Sequence, residues 1–198
     1  MTYQRPAYEE VTIAHGGSTV TLRPSLRAAM TLEARHGFPA LYRALDDLNL
    51  TIISEIILTG SINRQDAAAF LFSQSGKPLF PFFVAVRQPL AELISMLTPA
   101  PYPKAQASSG KPLTWAEAYT ALYEYATGWL GWTPDTAWNA TPTEIDRAYA
   151  AHIDRLETTG VLVRDKQPAT HDPVEEITEE QARAGLAKLK ANAKRGKQ

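Results

Sequence analysis

The stretch Val11-Thr12-Ile13-Ala14-His15-Gly16-Gly17-Ser18-Thr19-Val20-Thr21-Leu22 decides the fold class, because it is the one run in the chain that reads as β. Val11 and Ile13 alternate with polar neighbours, as do Val20 and Leu22, and Gly16-Gly17 lies between the two runs. A period of two puts one row of side chains on one face of a strand, and glycines supply the positive φ of a tight turn. Residues 9–23 are therefore expected to form a β-hairpin. Two strands alone are barely stable in water, so the hairpin must lie on something, and the chain beyond it reads as helical. The expected fold is mainly α: small helical lobes with an N-terminal β-hairpin, a Pro-rich linker and a flexible C-terminal tail.

Outward from the hairpin, Pro24-Ser25 opens a helix carrying Leu26, Ala29, Met30 and Leu32, and Gly37 stops it. Pro39 suits the first turn of a second helix, through Leu41, Leu45 and Leu48. The run to Gly60 is rich in β-branched residues, so strand competes by propensity. Helix is preferred there because apolar residues recur at Ile52, Ile53, Ile56 and Ile57 while Glu55 faces away. Residues 63–73 predict a fourth helix. Residues 82–97 predict a fifth, after interruptions at Pro78 and Pro81 and with a break near Pro89.

The composition then shifts. Pro99, Pro101, Pro103 and Pro112 stand among Gln, Ser and Gly, and residues 99–113 read as a linker between a domain of residues 1–98 and a second one. Ser-Gly-Lys-Pro-Leu occurs at 75–79 and again at 109–113, marking similar helix starts rather than a duplicated domain. A small Trp-rich helical domain, residues 114–163, opens on the capping box formed by Thr114 and Glu117, runs to Gly131 and crosses a short loop at 132–140. Its last helix starts at Thr141-Pro142-Thr143-Glu144, with Thr141 as N-cap, Pro142 at N1 and Glu144 at N3, and stops near Gly160. These five capping residues read as structural, not catalytic. Residues 164–198 form the flexible tail, in which Thr178-Glu179-Glu180-Gln181 would cap a terminal helix.

Composition excludes several classes of function. The 198 residues are 44% hydrophobic, which sets wholesale disorder aside. With 20 basic against 21 acidic residues, no global field draws the chain to nucleic acid or to an anionic membrane. The absence of cysteine removes disulfides, thiolate metal sites and thiol nucleophiles. The start carries no secretory pattern, and neither apolar stretch approaches the ~18 residues of a spanning helix, so a soluble protein of the cytoplasm is expected.

Chemistry is sought in vain. Ser75-Gly76-Lys77 resembles the end of a phosphate-binding loop, but that motif needs glycine at 71 and a hydroxyl at 78, where Leu71 and Pro78 stand. Gly110-Lys111 fails in the same way at Pro112. His15, His36, His152 and His171 are too dispersed for a helical metal pair, and no Gly-x-Ser-x-Gly elbow occurs. The acidic pairs, such as Asp46-Asp47, are adjacent residues whose side chains diverge. No catalytic residue, metal or cofactor is expected, and the protein reads as a non-enzyme.

The unusual feature is aromatic. Trp115, Trp129, Trp132 and Trp138 fall within 24 residues, among Tyr119, Tyr123 and Tyr125. Large rings build a core from few residues, and they also dominate interface hot spots; one ring can serve both. Gly131 and Thr141 bound a connection too short to bury two indoles, so at least one of Trp132 and Trp138 should stay partly exposed. Trp129, Trp132 and Trp138 are the candidate partner-binding residues.

The segment from Leu130-Gly131-Trp132-Thr133-Pro134 through Trp138 to Thr141-Pro142-Thr143-Glu144 resembles the signature of small tail assembly chaperones of long-tailed phages and gene transfer agents. That signature is a Gly-Trp-x-Pro, an aromatic pair and a Thr-Pro-x-Glu; here Ala137 replaces the first aromatic of the pair and Trp138 keeps the second. Leu22-Arg23-Pro24-Ser25, with Ala28, Leu32-Glu33 and Gly37, is similar to the amino-terminal component of the same chaperones, which often begins with a hairpin. The resemblance implies a non-enzymatic assembly factor that binds the tape-measure protein, recruits tail-tube subunits and is absent from the finished virion. A phage regulatory or host-directed adaptor, and a small enzyme whose residues converge only in three dimensions, are the competing readings.

Overall fold

The computed structural model describes residues 9–100 and 113–162. Strands β1 (Val11–His15) and β2 (Ser18–Leu22) pair antiparallel, Val11 opposite Leu22 and His15 opposite Ser18. Gly16 and Gly17, at φ 60° and 81°, make the turn, and positive φ at both central residues is what a two-residue hairpin loop demands. The apolar row of the hairpin is buried, and it lies on helices as expected: β1 on α5 and β2 on α4.

Beyond the hairpin, the described residues form eight α-helices: α1 (Leu26–His36), α2 (Phe38–Asp46), α3 (Leu50–Gly60), α4 (Arg64–Phe72), α5 (Leu79–Met96), α6 (Trp115–Glu124), α7 (Pro134–Asn139) and α8 (Pro142–Thr158). Local chemistry sets most of their starts. Ser25, Asn49 and Asn63 each accept a backbone N–H of the first turn through their side chains. Gly37 ends α1 at φ 71°, and Pro39 sits in the first turn of α2. The 50–60 run is helix, with Ile53, Ile56 and Ile57 buried.

Two local expectations need correction. Helix α5 runs unbroken from Leu79 through Pro81 and Pro89. Pro81 falls in the first turn, where its missing N–H costs nothing. Pro89 gives up one hydrogen bond, but Phe82, Val86, Leu90 and Leu93 on either side of it are fully buried and hold both halves to one core. At 18 residues and mean hydropathy 1.3, α5 is long and apolar enough to cross a membrane, although the sequence pattern suggested no such stretch. The second correction is the 132–140 connection, which contains α7. Thr133 accepts the Thr136 N–H at 3.2 Å and Pro134 comes next at N1, the same signature that opens α8.

The expectation of separate lobes at 1–98 and 114–163 is also overturned. Helices on both sides of 101–112 fill one core, and residues 1–156 form one unit. Helix α1 packs against α2 and α3, and equally against α6 and α7. The buried Tyr119 hydroxyl donates to the Leu97 carbonyl at 3.0 Å, and the Ala100 N–H donates to Thr143 Oγ1 at 3.2 Å, so both sides of the proline-rich stretch are tied together. A proline run does not stop the helices on either side of it from packing. The second unit, residues 157–198, is described only at 157–162, so the tail and its terminal helix, like most of the linker, lie outside the described residues.

Candidate partner-binding surface

The Trp-rich segment is built from the caps upward. Thr114 Oγ1 accepts the Glu117 N–H at 3.3 Å, while the Thr114 N–H and hydroxyl both donate to Glu117 Oε2 at 2.8 Å. That N–H first, and the hydroxyl second, hold the Glu117 carboxyl below the ordinary carboxylate range. Helix α6 then widens into one π turn over Tyr125–Trp129, closed by the Leu130 N–H on the Tyr125 carbonyl at 3.0 Å. Such turns bulge a helix and re-aim its side chains. Gly131 turns the chain at φ 69°, and the Trp132 N–H donates back to the Ala126 carbonyl at 2.9 Å.

This geometry gives the tryptophans different neighbours. Trp129, at the end of the π turn, is 54% exposed and meets Tyr149 of α8 edge-on at 6.1 Å. Tyr149 in turn stacks on Tyr125 at 4.1 Å. Trp132 is partly buried and lines a cleft with Arg23, Glu144 and Arg147. Trp138 on α7 is partly buried, stacked on Tyr123 at 4.7 Å and covered by the Arg27 guanidinium at 5.9 Å. No ring contact joins Trp129, Trp132 and Trp138 among the described residues; each meets the surface in its own setting. Trp115, which starts α6, is 41% exposed and packs edge-on against Phe38 at 5.1 Å.

The Thr141-Pro142-Thr143-Glu144 turn is a second complete box: Glu144 N–H to Thr141 Oγ1 at 3.1 Å, and Thr141 N–H to Glu144 Oε2 at 2.7 Å. Glu144 also binds beyond its own helix. One guanidinium nitrogen of Arg23 donates to both of its carboxylate oxygens, at 2.9 and 2.7 Å, and Arg23 Nε donates to the Asn139 carbonyl at 3.1 Å. The Leu26 N–H, an orphan donor of the first turn of α1, is taken by the Ala140 carbonyl at 2.7 Å. Thus the Leu22–Ser25 stretch and the Thr141–Glu144 turn, more than a hundred residues apart, lock together. Neither Arg23 nor Arg27 stood out as a site residue in the sequence. Arg23 could have been marked as the charged residue of a short motif; nothing local pointed Arg27 at Trp138.

Among the described residues no group of three or more His, Asp or Glu side chains converges as a metal site would require. Comparison with known protein families, with curated proteins and with solved structures finds no match for this chain.

Proposed function

We propose that the chain is a non-enzymatic tail assembly chaperone of the long-tailed phage and gene transfer agent kind. It binds the tape-measure protein, recruits tail-tube subunits in the host cytoplasm and leaves before the virion is complete. The observation that supports this reading is the junction between the hairpin exit and the start of α8. The two stretches that carry the resemblance are the two that meet, through Arg23–Glu144 and Leu26–Ala140. Exposed aromatic surface at Trp129, with the half-covered Trp132 and Trp138, suits capture of an apolar partner, because such rings act as interface anchors.

The test is co-purification of the full chain with the tape-measure and tail-tube proteins of its own gene neighbourhood. Capture of both is expected. Trp129→Ala or Trp132→Ala should weaken it by about thirtyfold, the effect of losing a hot-spot ring worth ~2 kcal/mol, with helical circular dichroism retained. Failure to hold either protein would overturn the reading.

A further inference from the structure

We propose that the groove between α1 and α3 is a docking site for an acidic polypeptide segment. The groove, about 530 Å³, is lined by Arg27 and Arg35 of α1, Arg64 at the start of α4, Glu55, and the small hydroxyl side chains Thr51 and Ser54 of α3 among others. Three guanidiniums thus face one carboxylate in a chain whose net charge is only −1. That carboxylate is already taken: Arg35 and His36 both donate to Glu55, His36 at 2.9 Å. Arg64 has no acidic partner among the described residues, and Arg27 has only the Trp138 ring. Two guanidiniums at the rim are therefore unneutralised, and they are the side chains best suited to carboxylates.

The layout favours a polypeptide over a single small anion. The two unneutralised guanidiniums, Arg27 of α1 and Arg64 at the start of α4, come from different elements that line one groove, so the positive charge is spread along the rim instead of being held by one loop or one helix end. The small hydroxyl side chains Thr51 and Ser54 in the same lining leave room for a backbone and can hydrogen-bond to it. Docking here is independent of the proposed chaperone role. The groove shares only Arg27 with the aromatic surface, and only through its position over Trp138.

The test is fluorescence anisotropy on the full chain with a labelled peptide of Glu-Ala-Ala-Ala repeats and its Gln-Ala-Ala-Ala counterpart. The glutamate peptide should bind, more weakly as salt rises, and the glutamine peptide should bind about tenfold less tightly. Arg64→Gln should weaken the glutamate peptide roughly five- to tenfold, and Arg64→Lys less, without changing the melting temperature, since Arg64 is exposed and packs in no core. Amide shifts on titration should fall at residues 27–35 and 51–64. Equal binding of the two peptides, no effect of Arg64→Gln, or shifts confined elsewhere would overturn the proposal. Displacement of the peptide by inorganic phosphate at equal concentration would overturn it too, by making the groove a small-oxyanion site.

Discussion

Glu144 shows how much one side chain can carry. It closes a capping box with Thr141 and receives Arg23 from the other end of the unit. Thr141→Ala removes the cap hydroxyl and should cost ~1 kcal/mol. Glu144→Gln keeps the side-chain length but removes the nearer carboxylate from the part-buried Arg23 guanidinium, leaving Glu10 at 3.9 Å from its other nitrogen, and should cost ~1.5–3 kcal/mol. Urea melts of the two variants would separate these contributions, and equal losses would reduce Glu144 to a cap. Tyr119 offers a test by pH. Burial, and secondarily the Glu33 carboxylate, raise its phenol well above the ordinary value of 10. The unfolded chain therefore loses this proton first, so the stabilisation is whole below pH ~10 and shrinks as pH rises beyond it. Tyr119→Phe should flatten that alkaline fall while costing ~1–2 kcal/mol at neutral pH, because the Leu97 carbonyl loses its donor.

At the scale of elements, α3 meets α5 and β2 at Gly60. A methyl group there would lie 3.0 Å from Leu93 Cδ2, and Leu93 is fully buried. Gly60 also accepts the Arg23 N–H on its carbonyl at 2.7 Å. Helix propensity alone favours alanine by ~1 kcal/mol, whereas overpacking a fixed core costs ~1–3. Gly60→Ala is expected to lower thermal stability, and a raised melting temperature would mean that Leu93 can give way. The elements are also where the sequence was most readable. The hairpin turn, the asparagine and serine caps and both capping boxes depend on residues within four of one another, so their chemistry is visible in the chain. Helix α7 was equally visible in Thr133-Pro134, but six residues between two glycine- and threonine-marked boundaries passed for a loop. The break expected at Pro89 failed for the opposite reason: a local rule gave way to tertiary burial.

At the scale of the molecule, the structural unit is larger than the proline pattern suggested. Arg23 and Glu144 are 121 residues apart, and Arg27 and Trp138 lie 111 apart; no periodicity or spacing reports such pairs. Tryptophan density was legible as a feature of the chain, yet whether each ring is covered depends on partners such as Phe38, Tyr149 and Arg27 from remote helices. A single core also makes a prediction of its own. With a specific protease site placed within 101–112, the cut chain should remain together on a native sizing column and separate only in denaturant. Separation under native conditions would restore the two-lobe picture.

The handshake between Leu26 and Ala140 has a bearing on how the protein is made. Translation delivers Leu26 first and Ala140 114 residues later, an interval of roughly 6–23 s at about 5–20 residues per second. For most of that interval the nascent α1 has neither α6 nor α7 to cover it, and its apolar side is open to whatever waits at the ribosome. A message stopping short of Ala140 makes that exposure permanent, so such truncated products are expected in the aggregate or the proteolytic fraction of the cell.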